Sequence, residues 1–230
     1  MAEKKHQTGH RQRLRDRFHR QGLSSLADYE VLELLLMYAI PRRDVKPLAK
    51  ELLCRFGSID AVFDAEFEAL TSVDGMGDVA SLLIMLIRQV PVLYFENKLM
   101  HASSSEVKAM LADFLRMKLG SLKRETMLAV FFTPSHQMAG FQMYSGTVDR
   151  VPVYMREIAE RGLKLGAIEM LLAHNHPSGN MAPSQNDVQT TEMVKAALGM
   201  LGIKLLDHVV VSGAEIRSVM YGKDSVGFFG

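Results

Sequence analysis

The sequence predicts an α/β protein: a mixed β-sheet flanked by helices, preceded by a small all-α region. Three observations carry this. From residue 28 to about 95, apolar residues recur at helical spacing, punctuated by Pro and Gly. After Gly120, short apolar runs of strand length alternate with helical segments, as a sheet covered by helices requires. The chain has 230 residues, 48% apolar and 23% charged, enough to close the core of one large or two small domains and to exclude wholesale disorder. The expected division is 1–98, a basic arm plus the helical region, and 104–230, the sheet domain. The Ser-containing stretch 98–105 is the linker between them.

In order, Asp28 is placed to N-cap a helix from Tyr29 to Ile40, ended by Pro41. A second helix spans about Val45–Phe56, with Leu48, Ala49, Leu52 and Leu53 on one face, and Gly57 closes it. Cys54 lies in this helix and is read as a packing residue. Helical turns follow at 58–63 and 66–70. A longer helix runs from Asp78 to about Tyr94, bent or stopped near Pro91. The next runs from Glu106 to Leu119, with the serines before it able to cap it. Thr126–Thr133 and Gln137–Tyr144 form a hairpin about a Thr-Pro-Ser-His turn. A helix over 153–165, a buried strand over 167–173, a helix over 184–201, a strand over 203–211 and a short strand near 216–220 complete the chain.

Composition excludes several classes. Net charge is +1, so the chain is no polycation as a whole. One cysteine permits neither an intramolecular disulfide nor a cysteine-based zinc site. No stretch is read as long and apolar enough to span a membrane, and the basic N-terminus lacks the apolar segment of a secretory signal. A reduced, cytoplasmic location is expected, with no membrane partner.

Charge is unevenly placed. Residues 1–20 carry Lys4, Lys5, Arg11, Arg13, Arg15, Arg17 and Arg20 against Glu3 and Asp16. Such a run is either a solvated helical terminus or a phosphate-contacting arm, with Arg11, Arg13 and Arg15 as candidate contacts to non-specific DNA. Further on, Val73-Asp-Gly75-Met-Gly77 before an apolar helix resembles a helix-hairpin-helix. Gly75 and Gly77 would leave amides at a helix start able to meet a DNA phosphate, although Asp78 opposes an incoming anion. The same hairpin can be purely structural.

The chemistry concentrates at the exit of one buried strand, in His174-Asn175-His176-Pro177-Ser178-Gly179, followed by Ser184 and Asp187. Period-two geometry aims His174 and His176 to one side. Asp187 lies in the first turn of the next helix, close enough to return toward them. Two imidazoles and a carboxylate make three ligands and leave a fourth position open, as in catalytic zinc sites. Ser184 and Asp187 also read as a capping box, and the two roles are compatible. A hydrolytic zinc needs a base, for which Glu125, Glu157, Glu160 and Glu169 are candidates. Glu169 lies at odd spacing from His174 and so on the opposite strand face. Spacing alone leaves Glu125 and Glu157 open.

His174-x-His176-Pro177-x-Gly179 with Ser184-x-x-Asp187 resembles the JAMM (JAB1/MPN) metalloprotease motif. The wider text, with Leu206-Asp207-His208 and the front-half segments Asp28-Tyr29-Glu30, Arg55-Phe56-Gly57 and Gly75-Met-Gly77, looks like the RadC family over residues 9 to 212. The resemblance implies a cytidine-deaminase-like JAMM/MPN fold with Zn2+ on His174, His176 and Asp187. It implies Glu125 as general base, since Arg124-Glu125-Thr126-Met127 precedes the hydrophobic strand as the family glutamate does, and Ser184 as oxyanion stabiliser. Met155 stands where the family usually has proline before Arg156-Glu157. The family assigns Asp207-His208 no role, and His208 is read as core packing. The implied activity is a zinc metallohydrolase, a peptidase or isopeptidase acting on a protein or peptide. The alternative is a DNA-associated repair or recombination protein with a structural or inactive zinc domain.

Overall fold

The computed structural model describes residues 2–145 and 151–222, with side chains placed for 9–145 and 154–222. Lys4 and Lys5 of the basic arm therefore lie outside the described side chains. The chain divides into two units, Met1–Pro91 and Val92–Gly230.

The first unit is all helical: α1 (Ala2–Gln21), a 3-10 turn (Leu23–Ser25), α2 (Asp28–Ala39), α3 (Lys46–Phe56), α4 (Ile59–Phe63), α5 (Phe67–Thr71) and the start of α6 (Asp78–Met100). Its core gathers Leu14, Leu32, Leu36, Ala49, Leu52, Val62, Leu70 and Ile84 from these helices. Asp28 is not the cap of α2. Ala27 holds that position, its N–H donating to the Glu30 carboxylate at 3.0 Å, while Asp28 sits in the first turn, where the helix dipole favours a negative charge. Gly57, at φ +90°, closes α3 as expected. Cys54 is exposed, correcting its reading as packing, because the buried face of α3 runs through Leu48, Ala49 and Leu52.

Two expectations fail at α6. The helix passes through Pro91 to Met100, leaving only three residues before the next helix instead of the expected 98–105 linker. A proline inside a helix costs about 3 kcal/mol. Beyond Pro91, Leu99 and Ala102 are buried in the core of the second unit. At 23 residues, α6 is also long and apolar enough, by length and composition, to cross a membrane, contrary to the sequence-based exclusion. It contributes Ala80 and Ile84 to one core and Leu99 to the other.

The second unit continues with α7 (Ser104–Leu119), β1 (Thr126–Phe132), β2 (Met138–Ser145), α8 (Val151–Lys164), β3 (Glu169–Asn175), α9 (Gln185–Gly199), β4 (Lys204–Ser212) and β5 (Glu215–Ser218). Ser103 and Glu106 form a reciprocal capping box at the start of α7. The five strands make one mixed sheet in the order β2-β1-β3-β4-β5, parallel only between β3 and β4. Strands β1 and β3 are buried along their whole length, which explains their unbroken apolar runs. One sheet face, through Leu128, Val130, Leu171 and Ala173, packs with Leu111, Phe114 and Leu115 of α7. The other, through Met127, Phe131, Met170 and Leu172, packs with Ile158 of α8 and with Val194 and Leu198 of α9. His174 continues the second set by alternation, so it faces the layer that contains α9.

Candidate metal centre

The carboxyl end of the central strand β3 gathers the predicted residues. His174 Nε2 and His176 Nε2 lie 2.9 Å apart. Asp187 approaches both, its Oδ1 at 3.1 Å from His174 and its Oδ2 at 3.6 Å from His176. Glu125, just before β1, completes a group with the two histidines in which one ligand atom of each residue lies within 4.8 Å of the others. His174 and Asp187 are buried, and His176 and Glu125 are half-buried, so the cluster opens on one side.

Local structure explains each placement. β3 pairs Met127 with His174, which brings the first residues of β1 beside the histidines. Beyond β3, His176 N–H donates to Val211 O at 3.0 Å, extending the strand direction by one residue. Pro177 then turns the chain, and Gly179 takes φ +83°, a conformation that glycine adopts without strain. Ser184 caps α9. Its oxygen accepts from Asp187 N–H at 3.1 Å, while its own N–H and O–H donate to Asp187 Oδ2 at 2.6 and 2.8 Å. Burial opposes ionisation of Asp187, but contact with His174 and the two Ser184 donors outweigh it and hold the carboxyl well below its usual range.

The hydrogen bonds also fix where the imidazole protons go. Thr191 commits its one hydroxyl proton to Asp187 O at 2.6 Å, so its oxygen accepts from His208 Nδ1 at 2.7 Å. Burial, with the neighbouring His174, pushes His208 down to about 3, so it is neutral near pH 7. Its Nε2 then accepts, and the donor is His174 Nδ1 at 2.8 Å. His176 Nδ1 faces Asn180 O at 2.6 Å and must donate to it. Both histidines therefore use Nδ1 outward and turn Nε2 toward each other and toward Asp187. Donor atoms this close repel unless a cation, a proton or a metal ion, sits among them. The donor set of imidazole nitrogens and carboxylate suits zinc and similar divalent metals.

The structure separates the four glutamates that the sequence offered. Glu125 is with the histidines. Glu157 is exposed on α8 and raises Tyr144, whose hydroxyl burial chiefly pushes up to about 12. Glu160 pairs with Arg156 at 2.9 Å, and Glu169, at the far end of β3, pairs with His136 at 2.6 Å. Ser184, expected as an oxyanion donor, has its hydroxyl proton directed at Asp187 here.

Sequence reasoning missed three residues around the site. Asn175, between the histidines but on the opposite strand face, accepts from Thr126 N–H at 2.8 Å and donates to Leu122 O and Arg124 O at 3.0 and 3.1 Å. It clamps the segment that presents Glu125. The other two are His208 and Thr191. His208, expected in core packing, is buried and also bonds His174. The only available signal was the strand-end placement of Asn175 and the pairing of polar Asp207 and His208 within an apolar strand.

Of the candidate DNA contacts, Arg11 is engaged within the first unit. It donates to Ile40 O at 3.2 Å, to Pro41 O at 2.5 Å and to Arg43 O, satisfying carbonyls past the end of α2. Arg13 and Arg15 are exposed on α1. Gly75 takes φ +88° and its carbonyl accepts from Arg43 at 2.6 Å. A Cβ at Gly75 would collide with that guanidinium, whereas one at Gly77 would meet open space.

A five-stranded mixed sheet flanked by helices, with a His-x-His and acidic cluster at the end of its central strand, defines a JAB/MPN-type α/β domain. Residues 103–224 match the RadC-like JAB domain, and residues 6–82 match the UPF0758 N-terminal family. A UPF0758 protein of Fusobacterium nucleatum is 38% identical over 220 residues, 92% of this chain and 94% of the relative. UPF0758 proteins of Cupriavidus necator and Ruegeria pomeroyi are 37% and 36% identical over 90% and 88% of this chain, covering 92% and 91% of their own lengths. The chain belongs to the RadC-like JAB domain family.

Proposed function

We propose that this chain is a zinc-dependent metallohydrolase, acting as a peptidase or isopeptidase on a protein or peptide in the cytoplasm. The observation that carries the proposal is the convergence of two imidazole Nε2 atoms on a buried carboxylate, with Glu125 on the open side. His174, His176 and Asp187 would hold the ion. Asp187 is the better third ligand than Glu125 because Ser184 and the start of α9 lock its carboxylate against both histidines. Zinc bound there would supply Lewis-acid chemistry, polarising a scissile carbonyl and lowering the pKa of a water toward about 7.

Glu125, held by the Asn175 clamp, would take the proton of the attacking water on its carboxylate and return it to the leaving amine. Ser184 can turn its hydroxyl to a developing oxyanion only by giving up its bond to Asp187.

The test is zinc stoichiometry on protein purified free of metal. One zinc in the wild type, none in His174→Ala/His176→Ala, and retained zinc with lost chelator-sensitive peptidase activity in Glu125→Gln are expected. No zinc in a folded wild type would sink the proposal.

A second reading, non-specific DNA association through the first unit, draws on the exposed Arg13 and Arg15 and on an open cleft lined by Arg43, Gly75, Gly77 and Asp78. Asp78 in that cleft disfavours a phosphate, so this reading stands behind the first.

A further inference from the structure

We propose that Asp207 and His208 form a positioning device for the metal centre: a bulge in β4 aims His208 at His174 and, with Thr191, holds His174 in the tautomer that leaves Nε2 free for a metal ion. The inference rests on the metal-site assignment above and extends it to residues that touch neither metal nor substrate.

The bulge is legible in the strand register. Met170 pairs with Leu205, but the next residue, Leu171, pairs with Asp207, so β4 carries one extra residue at this point. Alternation reverses across it. Leu205 faces the α8 and α9 layer, and Leu206, Val209 and Val211 face α7. Without the extra residue, His208 would share the face of Leu206. With it, His208 falls on the face of His174. A bulge that re-aims a side chain at a functional site is a known use of this irregularity.

A bulge leaves a backbone amide out of the ladder, and a buried unpaired N–H is costly. Asp207 supplies an acceptor beside the bulge. Its Oδ1 accepts from His208 N–H at 2.7 Å and from the Ser218 hydroxyl at 2.9 Å. Asp207 and Ser218 are both buried, so the bulge is braced on β5 from within. The acid and the histidine thus have separate jobs in one device.

His208 then orders the centre through a directed chain. Thr191 sits one turn after Asp187 on α9 and donates to the Asp187 carbonyl. That leaves its oxygen to accept His208 Nδ1–H, and His208 Nε2 to accept His174 Nδ1–H. Each member is buried, and the chain returns to the backbone of the residue that supplies the carboxylate ligand. A free imidazole favours the opposite tautomer, with the proton on Nε2, which would block coordination. A partner on the far nitrogen of a ligand histidine fixes both its tautomer and its ring plane.

The experiment uses the full chain in two arms. In the first, the imidazole nitrogens of metal-free, 15N-labelled wild type are read by NMR near pH 8. His174 is expected to carry its proton on Nδ1, and His208 likewise. A proton on His174 Nε2 with a bare Nδ1 overturns the proposal, whatever the metal affinity. In the second arm, zinc affinity is measured by chelator competition. Thr191→Val and His208→Leu are expected to weaken it by roughly 10- to 100-fold. His208→Gln, whose amide oxygen can accept from His174, is expected to recover most of the loss. Wild-type affinity in a folded Thr191→Val together with a folded His208→Leu overturns the proposal and leaves the metal site standing. Absence of zinc binding in the wild type overturns the metal-site assignment, and the first arm still judges the tautomer.

Discussion

Replacing Asp187 by Asn separates the two duties of this residue. Asparagine keeps the shape and can still accept from Ser184 N–H and O–H through its amide oxygen. What it loses is the charge. Two charge-assisted bonds become neutral ones, worth about 1 kcal/mol less each. The favourable position at the start of α9 loses roughly 0.3–1 kcal/mol more. Relief from burying a charge offsets part of this, since Asp187 is only 1% exposed. A net loss of about 1–2 kcal/mol is expected in the metal-free protein, a fall in Tm of roughly 2–8 °C.

The larger effect is on metal. A neutral amide is a poor zinc ligand, and a loss of about 100-fold in affinity removes about 2.7 kcal/mol of zinc-dependent stabilisation at saturating metal. Thermal unfolding followed by circular dichroism, with and without zinc, reads both terms. The sign with pH follows from the direction of the shift. Asp187 lies below its unfolded value of about 3.9, so its contribution is present above that pH and is lost as pH falls through the folded value. The difference between the two proteins should therefore begin to shrink below about pH 4 and vanish only as pH falls through the folded value. A variant that keeps the full zinc-induced rise in Tm would refute Asp187 as a ligand.

Two further outcomes follow from named contacts. Asn175→Ala removes one buried and two part-buried bonds to the 122–126 segment and is expected to lower stability by roughly 2–4 kcal/mol while leaving zinc bound, measurable by urea unfolding and metal analysis. Arg13→Ala/Arg15→Ala tests the DNA reading without disturbing the fold. Deleting residues 1–20 would instead remove buried Leu14 and the His10–Glu33 contact. If α1 meets phosphates, the double variant lowers the salt slope of DNA binding by about 2; an unchanged slope removes α1 from that role.

Much of this protein is legible in one dimension because the relevant physics is local. Helical spacing, Gly57, Ser103 and Ser184 mark element ends through single caps. The continuous apolar runs of β1 and β3 announce strands buried on both faces. His174, His176 and Asp187 could be grouped because two lie on one strand face and the third follows one turn and one helix start away.

Other features depend on distant partners. Cys54 faces solvent because of which side of α3 meets the core. Glu125 parts from Glu157 only when strand register sets Met127 beside His174. His208 is the sharpest case. Regular alternation directs it to the other face, and only the extra residue in β4, braced by Asp207 and Ser218 across two strands, turns it toward His174. Period-two reasoning carries no information about an inserted residue, because a bulge is defined by its pairing strand and not by the strand that bears it.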